Sequence, residues 1–142
     1  MGVSRIFWDT NLFVYLIEDY GDLTERVVRI RERMLRRRDE LYTSALTLGE
    51  ILVKPLDENR EDLAADYELA LTSAAVVIPF DRAAARRFAT IRRDRSVKPP
   101  DAIQLACASQ VSTDLFITND DRLSQKVIAG VQFISSLADA VI

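Results

Sequence analysis

The chain has 142 residues, of which 49% are hydrophobic and 29% are charged, a composition typical of a compact globular domain. It contains no histidine and one cysteine, Cys107, which excludes histidine-based catalysis, histidine-ligated metals, an internal disulfide and a thiolate zinc site. No apolar run approaches the roughly 18 residues that span a bilayer, and the first residues lack a signal-peptide pattern. We therefore expect a cytoplasmic protein with no membrane partner.

Short apolar strands alternate with helical patterns along the chain. Predicted strands cover residues 6–8, 41–43, 75–80, 115–118 and 131–134. Predicted helices cover residues 11–17, 22–38, 46–53 and 61–73, and two more begin after Asp81 and at Pro99. We expect Ser44 and Asp81 to act as N-caps, and the third helix to stop near Pro55. This alternation predicts an α/β fold, a three-layer sandwich around a mostly parallel sheet of about five strands.

Positive charge is concentrated in two arginine-rich stretches, although the formal net charge of the chain is −3. Residues 26–38 contain seven arginines against one acid, and residues 81–95 contain six against two. Because a guanidinium group binds phosphate through two parallel hydrogen bonds, both stretches are candidate contacts for a phosphate-rich ligand. Each stretch alone is equally typical of a solvated helix face. The candidate contacts are Arg36, Arg37, Arg86, Arg87, Arg92 and Arg93.

Three acidic positions lie where the pattern places strand ends or helix starts. Asp9 ends the first strand, Asp101 begins a helix, and Asp120 follows the strand at 115–118. Ligands of parallel sheets bind at the carboxyl ends of the strands, where the strand order reverses. If the first strand and the strand at 115–118 are neighbours, these three carboxylates converge in one crevice. Each of them is also explained on its own as a helix cap or a first-turn acid.

Glu50 is the fourth acidic candidate and the hardest to explain as a surface residue. It lies within the apolar run 46–53, so we expect much of its surroundings to be buried. A buried carboxylate without a partner costs several kcal/mol, and the sequence offers no cation before Lys54. A bound divalent ion would remove that cost. Oxygen ligands without histidine or thiolate select Mg²⁺ or Mn²⁺, and the implied chemistry is metal-assisted attack of water on a phosphodiester.

The flanks of these acids carry a resemblance. Asp9-Thr10-Asn11 follows a hydrophobic strand, Glu50 lies in an apolar helix, and the segments Pro100-Asp101-Ala102 and Thr118-Asn119-Asp120 occur in that order. This ordered set resembles the PIN-domain family, and within it the VapC-type ribonuclease toxins of toxin–antitoxin pairs. The resemblance covers most of the chain, so we expect a single PIN domain over residues 1–142.

The resemblance implies Mg²⁺- or Mn²⁺-dependent cleavage of RNA. Asp9, Glu50, Asp101 and Asp120 would be the catalytic acids, and Asp9, Asp101 and Asp120 the metal ligands, with Glu50 orienting the attacking water. Asn11 would position the cluster, and Thr118 and Asn119 would line the pocket. Asp121 leaves the fourth assignment ambiguous, although Asp120 directly follows the Thr-Asn pair. The family also implies a homodimer and a neutralising antitoxin.

Two other functions compete with the endoribonuclease. One is a non-catalytic PIN module that binds RNA or protein without cleaving it. The other is a magnesium-dependent phosphatase, for which a haloacid-dehalogenase-like pattern would require a second aspartate where this chain has Asn11. A response-regulator receiver would require an acidic pair near the first strand and a later lysine, and the chain has neither.

Overall fold

A computed structural model describes residues 4–140 and 142. The strands are β1 (Arg5–Trp8), β2 (Glu40–Ser44), β3 (Val76–Ile78), β4 (Thr113–Thr118) and β5 (Val131–Ser136). The helices are α1 (Thr10–Ile17), α2 (Asp22–Arg37), α3 (Ala45–Asp57), α4 (Glu61–Ala74), α5 (Arg82–Ile91) and α6 (Pro99–Gln110), with a short 3₁₀ helix at Leu123–Gln125. No helix among these residues is long and apolar enough to cross a membrane.

The five strands form one parallel sheet in the order β3-β2-β1-β4-β5. The predicted α/β class and the parallel sheet of about five strands are therefore confirmed. The register pairs Phe7 with Phe116 and Trp8 with Ile117, so β1 and β4 end side by side. Strand order reverses between these two strands, and this is the place where parallel sheets bind ligands.

Alternating side chains of the sheet divide the core into two layers. Ile6, Trp8 and Ile117 pack with the buried faces of α1 to α4 on one side. Phe7 and Phe116 stack with ring centroids 5.3 Å apart on the other side, where they pack with α5 and α6. The sheet is thus covered on both faces, which explains why its central strands are continuous apolar runs.

Several local predictions hold. Asp81 caps α5 by accepting a hydrogen bond from the Ala84 amide at 2.9 Å, and α6 begins at Pro99. The sequence predicts that the third helix stops near Pro55, and α3 ends two residues beyond it, at Asp57. Pro55 occupies the last turn, where its missing N–H removes one bond and its own carbonyl accepts from the Arg60 amide at 2.7 Å.

Strand β3 is shorter than predicted. The pattern predicts residues 75–80, whereas the strand covers only Val76–Ile78 and pairs with β2 alone. The chain leaves the sheet at Pro79, whose ring nitrogen has no hydrogen to donate to a sheet ladder. From there it runs past α6, where the Cys107 thiol lies 3.9 Å from the Pro79 carbonyl oxygen.

Candidate active site

Asp9 lies at the carboxyl end of β1, between α1 and β4. Its backbone amide donates to the Ile117 carbonyl at 3.0 Å, and its Oδ1 caps α1 by accepting from the Thr10 amide at 2.8 Å. Its Oδ2 accepts from the hydroxyl of fully buried Thr118 at 2.8 Å. Burial raises the pKa of Asp9, although the Thr118 and Thr10 bonds oppose that rise, and the charges of Glu50 and Asp120 raise the pKa further.

A buried hydrogen-bond network lies beneath Asp9. The Gln104 side-chain amide donates to Thr47 Oγ1 at 2.8 Å and to Thr10 Oγ1 at 3.0 Å, and it lies 3.5 Å from Asp9 Oδ1. Ser44, which stands at the predicted N-cap of α3, instead donates its hydroxyl to Gln104 Oε1 at 2.5 Å. The network joins α1, α3 and α6 under the acids and fixes their mutual positions.

Glu50 faces this site from α3. Its Oε1 accepts a hydrogen bond from the Thr10 hydroxyl at 2.6 Å, and Thr47, which lies one turn earlier, belongs to the buried network. The expectation that Glu50 lies in buried surroundings is wrong, because the residue is exposed. The apolar neighbours Ile51 and Leu48 point toward the core, and the helix turns Glu50 outward over the end of β1.

Asp101 occupies the first turn of α6 and is half-buried. Desolvation raises its pKa most, followed by the negative charges of Asp9 and Asp120. The cationic groups of Arg122 and Lys98 lower it. The charge of Asp120 thus raises the pKa of both Asp9 and Asp101, and the charge of Asp9 raises that of Asp101.

Asp120 is held by an arginine of its own loop. Arg122 donates through Nε to Oδ1 at 3.1 Å and through Nη2 to Oδ2 at 2.9 Å, which lowers the pKa of Asp120. The Asp120 amide donates to the Thr118 hydroxyl at 3.1 Å, which ties the loop to the Asp9 contact. Asp121 is exposed, whereas the charge of Asp120 raises the pKa of both Asp9 and Asp101.

The three residues predicted to support the acids have different surroundings. Thr118 contacts Asp9 directly. Asn119 instead donates its side-chain amide to the Tyr15 hydroxyl at 2.8 Å, on the α1 side of the loop. Asn11 is exposed in the first turn of α1.

The polar contacts around Asp9 come from Thr10, Thr118 and Gln104. A signal for Gln104 exists in the sequence, because it stands one turn after Asp101 in an apolar helix.

The donor chemistry fits a divalent ion such as Mg²⁺ or Mn²⁺. The carboxylates supply only oxygen ligands, and two of them have raised pKa values because burial and mutual repulsion disfavour their charges. Among the described residues, however, no three acidic or thiol side chains are grouped closely enough to hold an ion as they stand. Both oxygens of Asp120 accept hydrogen bonds from Arg122.

The arginine candidates lie on opposite faces of the sheet. Arg36 and Arg37 are in the last turn of α2, and Arg37 lines a cavity with Ser4 and Asp114, at the amino ends of β1 and β4. The structure therefore does not bring these two arginines to the acids. The other candidates lie on α5 or on the loop that leads into α6 and Asp101; they are Arg86, Arg87, Arg92 and Arg93.

A comparison with the profiles of known protein families shows to which family the chain belongs. The family profile described as "PIN domain" matches residues 6–128, a range that contains all four acids. The chain belongs to the PIN domain family. Comparison with curated protein sequences returns no significant match.

Solved structures share the fold of this PIN domain. A chain of VapBC2 from Rickettsia felis, bound to promoter DNA, matches with a TM-score of 0.72 and 13% identity over 93% of this chain and 98% of that one. DNA-bound VapBC from Salmonella typhimurium matches with a TM-score of 0.72 and 21% identity over 95% and 99%. VapBC-5 from Mycobacterium tuberculosis, a toxin–antitoxin system, matches with a TM-score of 0.58 and 24% identity over 92% and 98%.

Proposed function

We propose that this PIN domain is a Mg²⁺- or Mn²⁺-dependent endoribonuclease, the toxin of a toxin–antitoxin pair. The observation that carries the proposal is the set of carboxylates at the carboxyl ends of β1 and β4. There the half-buried Asp9 is coupled electrostatically to Glu50 and Asp120, and Asp101 is coupled to Asp9 and Asp120. Such a cluster is unfavourable unless a cation compensates it, and a bound divalent ion would also activate water for attack on a phosphodiester.

Asp9 and Asp101 are the proposed direct ligands of the ion. Asp9 directly follows β1 and Asp101 lies in α6, and the pKa of each is raised mainly by desolvation and further by the charges of neighbouring carboxylates. Asp120 is the third proposed ligand, and it must first leave Arg122. When bound, the ion supplies Lewis-acid activation of water and neutralises charge on the phosphate.

Glu50 is the proposed orienting base for the attacking water. Its Oε1 is fixed by the Thr10 hydroxyl, which leaves Oε2 free to accept a proton or to align a water molecule. Thr118 and Gln104 hold Asp9 from two sides, so its carboxylate has a defined orientation before substrate arrives. Asn11 is exposed beside Asp9 and is proposed to contact substrate or water there.

The partners follow from the family rather than from contacts within this chain. The similar solved structures include VapBC complexes. Another is a toxin–antitoxin complex from Klebsiella pneumoniae, which matches with a TM-score of 0.63 and 23% identity over 89% of this chain and 94% of that one. We accordingly propose that RNA is the substrate and that a cognate antitoxin neutralises the activity. A homodimer is the proposed state of the toxin.

An RNA cleavage assay tests the proposal. Purified protein is incubated with structured RNAs and Mn²⁺, in parallel with Asp9→Asn, Asp101→Asn and the exposed control Asp66→Asn. We expect cleavage by the wild type and the control, and none by the two site variants or in excess chelator. Cleavage that persists in the chelator or in both site variants contradicts the proposal.

A non-catalytic PIN module that binds RNA or protein is the second candidate function. The observation that favours it is the Arg122–Asp120 pair, because an arginine that fills the acidic site takes the place of a metal ion. Calorimetry separates the two functions. Retained RNA binding with no detectable heat of Mn²⁺ binding supports the binding module, whereas Mn²⁺ binding that Asp9→Asn abolishes supports the nuclease.

A further inference from the structure

A second feature of the surface lies apart from the acids. A groove of about 1160 Å³ runs between α5 and the segment of residues 126–129, with the carboxyl end of α6 as its floor. None of the four acids lines it. Its charged lining consists of Arg86, Arg87, Arg93 and Lys126, against the single acid Asp94. A chain with a formal charge of −3 thus has a strongly positive groove.

Three of the positive charges in the groove are not compensated by its lining. Lys126 donates to Asp94 at 2.9 Å, so these two groups neutralise each other. Arg87 donates to Gln110 Oε1 and Ser109 Oγ, both at 2.6 Å. Because these acceptors are neutral, they fix the guanidinium group without cancelling its charge. Arg86, which precedes Arg87 in the chain, and Arg93, which follows it, are both exposed.

The groove and the acidic site lie on either side of one loop. Residues 92–98 join α5 to α6, and Arg93 and Asp94 of this loop line the groove. At the other end of the loop, the charge of Lys98 lowers the pKa values of Asp101 and Asp120. Lys126 also donates to Ser96 Oγ at 2.6 Å, which binds the loop to the far wall of the groove. A polymer at the acids can therefore continue past Lys98 into the groove.

The arginines of α2 are poorer candidates for binding phosphate, because several of them already make hydrogen bonds or ion pairs within the protein. Arg26 and Arg33 donate to the carbonyls of Ala138 and Ile142, at 3.5 and 3.3 Å. Arg31 donates to the Ala74 carbonyl at 3.4 Å, and Arg37 pairs with Asp39 at 3.4 Å. In addition, α2 packs on the opposite face of the sheet from α5.

We propose that this groove binds the sugar–phosphate backbone of the RNA strand that leads away from the cleavage site. The proposal rests on the proposed nuclease function and adds to it the path of the substrate. Arg86, Arg87 and Arg93 each bind a phosphate oxygen, and the loop of residues 92–98 connects this contact with the acids. Arginine suits this role because its planar fork matches the oxygens of a phosphate group.

The salt dependence of RNA binding tests the proposed path. The probe is a short fluorescein-labelled single-stranded RNA, and the background is Asp9→Asn, so that the RNA stays intact. Each lost phosphate contact reduces the slope of log affinity against log salt concentration by about 0.7. We expect Arg86→Gln/Arg93→Gln to reduce the slope by about 1.4, while the matched control Arg29→Gln/Arg60→Gln leaves it unchanged.

Two outcomes overturn the path, and both differ from failure of the nuclease. An unchanged slope in Arg86→Gln/Arg93→Gln overturns it, and so does an equal loss in the rival pair Arg36→Gln/Arg37→Gln. Labelled polyglutamate serves as a second probe. If Arg86→Gln/Arg93→Gln weakens the binding of polyglutamate but not of RNA, the groove binds an acidic protein partner instead. The nuclease fails separately, if the wild type with Mn²⁺ does not cut RNA that the groove binds.

Discussion

The hydroxyl of Thr118 donates to Asp9 Oδ2 at 2.8 Å, and this bond joins the carboxyl ends of the two strands between which the sheet order reverses. The same hydroxyl accepts from the Asp120 amide at 3.1 Å. One buried threonine thus fixes the position of one acid through its side chain and of a second through its backbone. This arrangement makes the site sensitive to changes that leave every carboxylate in place.

Thr118→Val should destabilise the protein in a pH-dependent manner. The bond to Thr118 favours the ionised form of Asp9, and its loss should cost about 1–2 kcal/mol of unfolding free energy at neutral pH. The cost should shrink as the pH falls and Asp9 becomes protonated. Thr113→Val is the matched control, because Thr113 is equally buried but donates to the neutral Ala108 carbonyl at 2.7 Å. Urea unfolding at several pH values checks this, and equal pH profiles for the two variants contradict it.

Asp9→Asn should stabilise the metal-free protein. Burial raises the pKa of Asp9 above its ordinary value of 3.8, so the charged form is less favourable in the folded chain than in the unfolded one. The contribution of Asp9 to stability is therefore fully present below pH 3.8 and is lost as the pH rises through its folded pKa. We expect Tm to rise by about 2–4 °C at pH 7, the shift that about 1 kcal/mol produces in a chain of this size.

The gain from Asp9→Asn should also disappear at low pH. Asn caps a helix about as well as Asp, so the cap on α1 is preserved and the charge is the main change. Thermal melts in chelator from pH 4 to pH 8 measure the difference from the wild type. A gain that is constant over this range, or that exposed Asp66→Asn reproduces, is inconsistent with a half-buried charge at position 9.

Arg122→Gln should increase the affinity for Mn²⁺. Arg122 donates hydrogen bonds to both oxygens of Asp120, so it competes with a divalent ion for that carboxylate. Its positive charge also lowers the pKa of Asp101 and would repel a divalent ion from that second carboxylate. Because the arginine side chain is 70% exposed, the gain should be modest, about threefold in Kd. Calorimetric titration of the protein alone measures it.

Arg60→Gln is the matched control for Arg122→Gln. Arg60 makes the same two contacts with Asp62, at 3.1 and 3.2 Å, on an exposed surface at the start of α4. It should leave the Kd for Mn²⁺ unchanged. An unchanged Kd in Arg122→Gln, with normal binding by the wild type, means that Asp120 is not a ligand.

Cys107 should be chemically inert in the folded protein. Its thiol is buried against α5 and the chain after β3, and burial, assisted by the charge of Asp81, raises its pKa to about 11. The thiolate that reacts with disulfide reagents is therefore scarce at neutral pH. Modification by a chromogenic disulfide should proceed only after denaturant is added. Rapid modification of the native protein contradicts this assignment.

The sequence predicts the layers of the fold better than the geometry of the site. Apolar strands such as 6–8 and 115–118 alternate with amphipathic helices, and that pattern suffices for a parallel sheet covered on both faces. Strand ends at Asp9 and Thr118 then indicate where carboxylates meet, and the structure places Asp9 and Asp120 there. The charge of Asp120 raises the pKa of Asp9 and Asp101, while the choice of Asp120 over Asp121 as the fourth acid stays a prediction.

The contacts that sequence reasoning misses join residues far apart in the chain. Gln104 bonds to Thr10 across 94 positions and to Ser44 across 60, and no local pattern encodes such pairs. The apolar run around Glu50 suggests burial, but it does not specify which side of α3 carries the carboxylate. Similarly, the arginines of 26–38 indicate a phosphate-binding face, whereas four of them bind the chain itself.

The central claim is that distant acids share one divalent ion at the carboxyl ends of β1 and β4. Calorimetric titration with Mn²⁺ of the wild type, Asp9→Asn, Asp101→Asn and the exposed control Asp66→Asn tests it most directly. We predict one saturable binding event in the wild type and in the control, and loss of affinity by at least about tenfold in each site variant. Equal affinities in all four proteins, or no binding by the wild type, would contradict the claim.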